Sequence, residues 1–315
     1  MYTSKIDIKT RLGKAIYDWL YKTKLNSIKE GSFDRLLTSY RLLVKYPISE
    51  YRLLDLSSDD IQRFVNTLVS DGYAKTTIKK AYELISAFLR YAIADGLPIN
   101  PIWVNVNLPT EQAVKKPKKQ VVSYDDEEQA RIREICDEVN NQAANAVTLL
   151  IETGMRIGEL LALDWQDVQW QRRAIRIHRT MIDMTSRKKA HIQEVPKSNA
   201  SIRTIPLSAR ALKMLKALRD ASDAPFGLVF SAGNPNTTVA YNPLMDAVRS
   251  LLGRVGVPWY GFHVFRHTFA TNCYHKGCDV KKLSKLLGHA NVTITYNTYI
   301  HLYGDCLEEL RSIVD

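Results

Sequence analysis

Between Gly96 and Gln120 the chain reads GLPINPIWVNVNLPTEQAVKKPKKQ, and no helix or strand can run through it. Pro98, Pro101 and Pro109 each remove a backbone donor, fix φ and push the preceding residue out of the helical region. TEQAVKKPKKQ, at the end of the stretch, has the composition of an exposed, extended linker. A chain of 315 residues also exceeds the usual size of a single hydrophobic core. Both observations predict two folding units, over 1–108 and 121–315, joined by a basic linker at 109–120.

Upstream of the break, LGKAIYDWLYKTKL, FDRLLTSYRLLVKY and SSDDIQRFVNTLVSDG repeat apolar residues at spacings of three and four, the period of one helical face. Ser57 or Ser58 is placed to cap the third of these, with acids in its first turn, and Gly72 to end it. A fourth helix, TTIKKAYELISAFLRYAIADG, stops at Gly96. With no β-rich segment present, the first unit is expected to be a small all-α domain. Downstream, Ser123 is expected to cap the helix in SYDDEEQARIREICDEV, whose acidic first turn suits the helix dipole better than a metal. NQAANAVTLLIE gives a further helix, ending at Thr153-Gly154. RAIRIHRTMID, HIQEV and SIRTIPL alternate β-branched residues and predict one small antiparallel sheet, with LVF a further short strand. SARALKMLKALRD and most of 241–315 read as helix, so the second unit is expected to be mainly helical α+β.

The formal net charge is +11. Residues 1–108 carry 16 Lys/Arg against 11 Asp/Glu, the linker adds KKPKK, and only the last eleven residues, DCLEELRSIVD, are acidic. Basicity spread over both units and their joint suits a polyanion wrapped by both, because each neutralised phosphate releases counterions. No apolar run approaches the 18 or so residues of a membrane span, and MYTSKIDIKTR lacks the apolar core of a signal peptide. The four cysteines form no CxxC pair. Cys273, His275 and Cys278 match no common zinc spacing, so reduced thiols in a cytoplasmic (bacterial) protein are the expectation.

Certain polar residues stand where structure alone would not put them. Arg156, in TGMRIGEL, opens a short helix just past a helix-ending glycine. Arg266, in HVFRH, comes three residues after His263, so the two share a helical face. His289 follows Gly288 at a helix end, and Lys197 lies in VPKSNASIRTIPL between strand-like segments. Tyr296, Tyr299 and Tyr303 then follow at spacings of three and four. Singly, each has a bland reading as a surface ion pair, a solvated lysine or a packed ring. Together they are the set needed to cleave a phosphodiester with a tyrosine. Guanidinium forks match the charged phosphate oxygens, the tyrosine must lose a proton, and a lysine can protonate the departing 5′ oxygen. GxxxxGK[ST] is absent, so no nucleotide loop is expected.

TGMRIGELLALDWQDV, VPKSNASIRTIPL, HVFRHTFAT and LGHANVTITYNTYIH together resemble the signature boxes of the tyrosine recombinases, or phage-type integrases, most like those of conjugative transposons and temperate phages. The resemblance covers nearly the whole chain, with 10–108 similar to the helical, SAM-like core-binding domain and 121–315 to the catalytic domain. It implies that Arg156 and Arg266 clamp the scissile phosphate, His263 assists proton transfer, and His289 donates to a phosphate oxygen. It makes Lys197 the general acid, with Lys188 and Lys189 as competitors, and Glu159 a support for Arg156. It singles out Tyr299 as nucleophile, with Tyr296 its rival.

By the same resemblance, the protein is a site-specific recombinase that integrates or excises a mobile element through a 3′-phosphotyrosyl intermediate and a Holliday junction, without metal or other cofactor. It would close as a C-shaped clamp on double-stranded DNA. Lys75, Thr76, Thr77, Lys79, Lys80, Lys115, Lys116, Lys118, Lys119 and Arg203 would contact DNA. Four protomers would assemble, a tail helix at 305–315 contacting a neighbour, with an excisionase and host DNA-bending proteins as further partners. An arm-binding domain ahead of the core-binding helices, common in such integrases, is expected to be missing. A type IB topoisomerase and a catalytically dead DNA-binding protein are the competing readings.

Overall fold

In this computed structural model, residues 6–28, 30–114, 122–182, 191–193, 202–222 and 226–299 are described. The chain divides into two compact units, Met1–Lys119 and Gln120–Asp315.

The first unit is helical: α1 (Leu12–Trp19), α2 (Glu30–Leu43), α3 (Ser58–Ser70) and α4 (Lys75–Ala94), with a π-turn at Leu20–Lys24 extending α1. Ser57 caps α3, its side chain accepting from the Asp60 N–H while Asp60 accepts from the Ser57 N–H, so the first of the two serines is the cap. Gly72 closes the helix at φ +77, where a side chain would be strained. Along α4, Ile78, Ala81, Leu84, Ile85, Phe88, Leu89 and Ala92 are all 0% exposed. That stripe, at spacings of three and four, packs against α2 and α3. Each large apolar side chain sealed in this way contributes about 1.5–3 kcal/mol.

The second unit is built around α6 (Gln142–Thr153), which is buried on nearly every side from Ala143 to Ile151. A helix apolar all round must lie at the centre of a core. Accordingly α5 (Asp126–Val139), α8 (Ala209–Asp220), α9 (Tyr241–Gly253) and α10 (His263–His275) all pack on it. The remaining helices are α7 (Ile157–Leu161), α11 (Val280–Leu287) and α12 (Val292–Tyr299).

Three local expectations need correction. Asp125, not Ser123, caps α5, in a reciprocal box with Glu128. Asp125 sits next to the first helical turn, whereas Ser123 is two residues too early to reach it. The strand material forms two sheets, not one. β1 (Val168–Gln169), β2 (Ala174–Ile177) and β5 (Arg203–Pro206) make an antiparallel sheet in the order β1-β2-β5, while β3 (Thr180–Ile182) pairs with β4 (His191–Gln193). The run RAIRIHRTMID is broken at His178 and Arg179, both tied to Asp167 at 2.7 Å. LVF is not a strand, since Leu228 makes only an isolated bridge to Asp164. The expected tail helix at 305–315 lies outside the described residues.

Candidate active site

The site is assembled where the ends of α6 and α11 meet the starts of α7 and α10. Gly154 ends α6 in the left-handed region at φ +62, and a Cβ there would fall 2.3 Å from the Phe269 ring. That turn delivers Arg156 as the residue before α7, with Glu159 one turn on. The Glu159 carboxylate accepts from the Arg156 backbone N–H at 2.8 Å and from its guanidinium at 2.9 Å. At Gly158, a Cβ would lie 2.7 Å from both Met181 O and Thr180 Oγ1, so α7 and β3 can pack this closely only around glycine.

Arg266, on the inner face of α10, is 2% exposed. It donates to Gly154 O at 3.0 Å and to Leu287 O at 2.5 Å. Arg156 reaches Gly288 O at 3.5 Å, and its side chain remains 36% exposed. One arginine is therefore locked and its neighbour still opens to solvent. Gly288 ends α11 in the left-handed region at φ 66 and turns the chain into His289. His289 Nδ1 lies 2.7 Å from Thr295 Oγ1 on α12, whose residue is 1% exposed. That partner orients the ring and leaves Nε2 for another contact.

Electrostatics follow from this crowding of cations. Burial, then the charges of Arg266, Arg156 and Arg203, push the His289 imidazole down to about 3. His263 is lowered first by burial and then by Arg266 and Arg156. Both rings are neutral near pH 7, and an anion bound among the arginines would raise them again. For Glu159, burial alone would raise the carboxyl, but the hydrogen bonds and charge of Arg203, then the charge and N–H of Arg156, hold it below its ordinary range.

The structure brings Arg156, Glu159, His263, Arg266 and His289 together, as their sequence positions suggested. Tyr299 is the last residue of α12. Lys197, with Lys188 and Lys189, lies outside the described residues, as do Lys115, Lys116, Lys118 and Lys119. Lys75, Thr76, Thr77, Lys79 and Lys80 form the first turns of α4 in the other unit, where Lys75 pairs with Glu111 at 3.5 Å and Lys79 with Glu83 at 3.7 Å. Arg203 needs correction. Its side chain is 5% exposed and both oxygens of Glu159 accept from it, at 2.9 and 2.8 Å. It is a buried ion-pair partner, not a surface cation offered to DNA. The strand alternation contained that signal, since Arg203, Ile205 and Leu207 share the inward face. Two elements carried no local signal: the Thr295 partner of His289 and the Asp167–His178–Arg179 cluster behind the sheets.

A Glu159→Gln protein should lose about 3–5 kcal/mol, because one member of a buried pair is neutralised while Arg203 stays charged. Urea unfolding at neutral pH would measure it. The acid limb should change as well. Glu159, lowered from 4.5, contributes stability that is present above that value and lost as pH falls through its lower folded value. His289, lowered from 6.5 to about 3, adds a loss between those limits, because the unfolded chain takes up the proton first. The variant should keep the loss that starts near pH 6.5 and show a shallower one below about 4.5.

Comparison with known proteins places the chain in a family. The family model described as "Phage integrase family" matches residues 124–305. A tyrosine recombinase XerC-like protein of Caldanaerobacter subterraneus subsp. tengcongensis is 31% identical over 313 residues, covering 92% of this chain and 79% of that protein. Among solved structures, the Tn1549 transposon integrase in complex with circular intermediate DNA aligns with a TM-score of 0.77 at 20% identity, over 97% of this chain and all of that one. A lambda integrase tetramer bound to a Holliday junction aligns at 0.70 and 17% identity, over 93% and 78% of the two chains. These two alignments speak for the fold. The chain belongs to the phage integrase family: it is a tyrosine recombinase, an enzyme of site-specific DNA recombination. Among the described residues no helix is long and apolar enough to cross a membrane.

Proposed function

We propose that this recombinase cuts and rejoins duplex DNA with Tyr299 as nucleophile, exchanging strands of a mobile element with its target. The observation that carries this reading is the convergence of Arg156 and Arg266 on neighbouring carbonyls, Gly288 O and Leu287 O, immediately ahead of His289. A phosphate entering from the exposed side of Arg156 would meet two guanidinium forks and two neutral imidazoles. Thr295, which orients His289, sits one helical turn before Tyr299 on α12, so helical period puts both residues on one face.

In the reaction the phenol oxygen attacks phosphorus and gives up its proton, with His263 assisting. The bond to the 5′ oxygen breaks, and that oxygen takes a proton from Lys197. A 3′-phosphotyrosyl ester replaces the phosphodiester, so the bond energy is kept and neither ATP nor a metal is required. Attack by a 5′-hydroxyl from another strand reverses the step. His289 donates to a non-bridging oxygen throughout, a role that the neutral ring can fill.

The basic start of α4 in 1–108, the linker lysines of 109–120 and the catalytic unit 121–315 would each contact the duplex. The lambda integrase tetramer on a Holliday junction supports a four-protomer assembly that resolves such a junction. The segment 305–315 would join neighbours, and an excisionase or host DNA-bending proteins would set direction. The test is a duplex nicked beside the cleavage site, incubated with EDTA and without nucleotide. A covalent adduct surviving detergent is expected. No adduct on any core site of the element would contradict the proposal.

A further inference from the structure

Arg203 occupies a position that a surface DNA contact could not. Its Nε donates to Leu286 O at 2.6 Å, while its two terminal nitrogens bridge Glu159 at 2.9 and 2.8 Å. The same two carboxylate oxygens receive the Arg156 guanidinium and backbone N–H at 2.9 and 2.8 Å. Glu159 is thus clasped between two arginines.

A second pattern involves the end of α11. Three successive carbonyls there, Leu286, Leu287 and Gly288, accept from Arg203, Arg266 and Arg156 respectively. The last carbonyls of a helix have no partner within it and carry the negative end of its dipole. One helix end therefore gathers three like charges that would otherwise repel. His289 follows directly, so whatever fixes this turn also fixes that ring.

We infer that Arg203 is a positioning residue for strand cleavage, acting through Glu159 on Arg156 and through the last turn of α11 on His289, without touching DNA. This rests on the proposed role of Arg156 at the scissile phosphate. A guanidinium–carboxylate fork is stiff because turning either plane breaks two bonds together. Lysine in its place keeps the charge but satisfies one oxygen at a time, leaving Glu159 free to turn. A shift of about 1 Å in a reacting group costs roughly 10²-fold in rate.

The test is single-turnover cleavage of the nicked duplex by Arg203→Lys, with rate constant and amplitude read separately and the unaltered protein run alongside. Binding is measured against salt in a Tyr299→Phe background, so that cleavage does not interfere. The rate constant should fall by about 10²-fold with an amplitude near that of the unaltered protein and an unchanged salt slope. In a Glu159→Asp background the same substitution should cost far less, because both act on one connection. Where the lysine variant does not fold, Glu159→Asp alone, which keeps both charges and alters the same fork, gives the same readout.

Three results would overturn the inference: a salt slope shallower by about one phosphate contact, a lower amplitude at unchanged rate constant, or full additivity with Glu159→Asp. If the unaltered protein itself forms no adduct, the proposed function fails, and this inference with it.

Discussion

A Tyr299→Phe protein should form no covalent adduct with DNA and yet bind it as tightly as the unaltered chain. The substitution deletes a single hydroxyl and keeps the ring, so the apolar area at the end of α12 is conserved. That hydroxyl is the proposed nucleophile. A free phenol titrates near pH 10. In the proposed reaction a nearby cation and a neutral imidazole able to accept the proton would favour its ionised form. Tyr296→Phe should behave differently. Tyr296 is 47% exposed and comes one residue after the buried Thr295, about 100° round the helix from it. Its substitution should leave adduct formation within about threefold of the unaltered rate, in line with the small effects of surface changes. Electrophoretic mobility shift with the same duplex would provide the binding half of both measurements.

The second large effect concerns Arg156. Arg156→Lys should bind DNA within a few-fold of the unaltered protein but cleave it about 10²–10³ times more slowly, the range for losing one preorganised donor to a developing oxyanion. The geometry explains the split. One terminal nitrogen of Arg156 is committed to Glu159 and the other faces Gly288 O, while 36% of the side chain is open. The guanidinium is thus held from behind and presents its remaining donors outward. An ammonium can keep the contact to Glu159 or reach the phosphate, but has no planar fork to do both. Single-turnover rates at saturating protein, set beside the dissociation constant, separate the two effects. Weakened binding equal to the loss in rate would mean that Arg156 serves mainly as a DNA anchor.

Much of this was legible in the chain. The helices of the first unit follow from apolar period and end signals, and Ser57 and Gly72 stand where those signals place them. Arg156 and His289 stand at helix ends and Arg266 shares a helical face with His263. It was the set as a whole, and the resemblance of its motifs, that singled these residues out. What local pattern could not supply were the connections. Arg203 to Glu159 spans 44 positions, Arg266 to Gly154 spans 112 and Arg156 to Gly288 spans 132. Hydrogen bonds at such separations leave no periodic trace. Arg203 is the instructive case, since its type suggested a DNA contact while its strand phase, shared with Ile205, pointed inward. The break of RAIRIHRTMID into two sheets was hidden for a similar reason. His178 and Arg179 continue the alternation, but their shared partner, Asp167, lies eleven and twelve positions away.

The central claim is chemical: one tyrosine becomes joined to a 3′ phosphate. The most direct measurement is to trap the adduct on a nicked duplex, digest protein and DNA, and locate the modified residue by peptide fragmentation. The outcome expected is a nucleotide attached through its 3′ phosphate to Tyr299. A nucleotide on Tyr296 or on any residue other than Tyr299, or attachment through a 5′ phosphate, would contradict it.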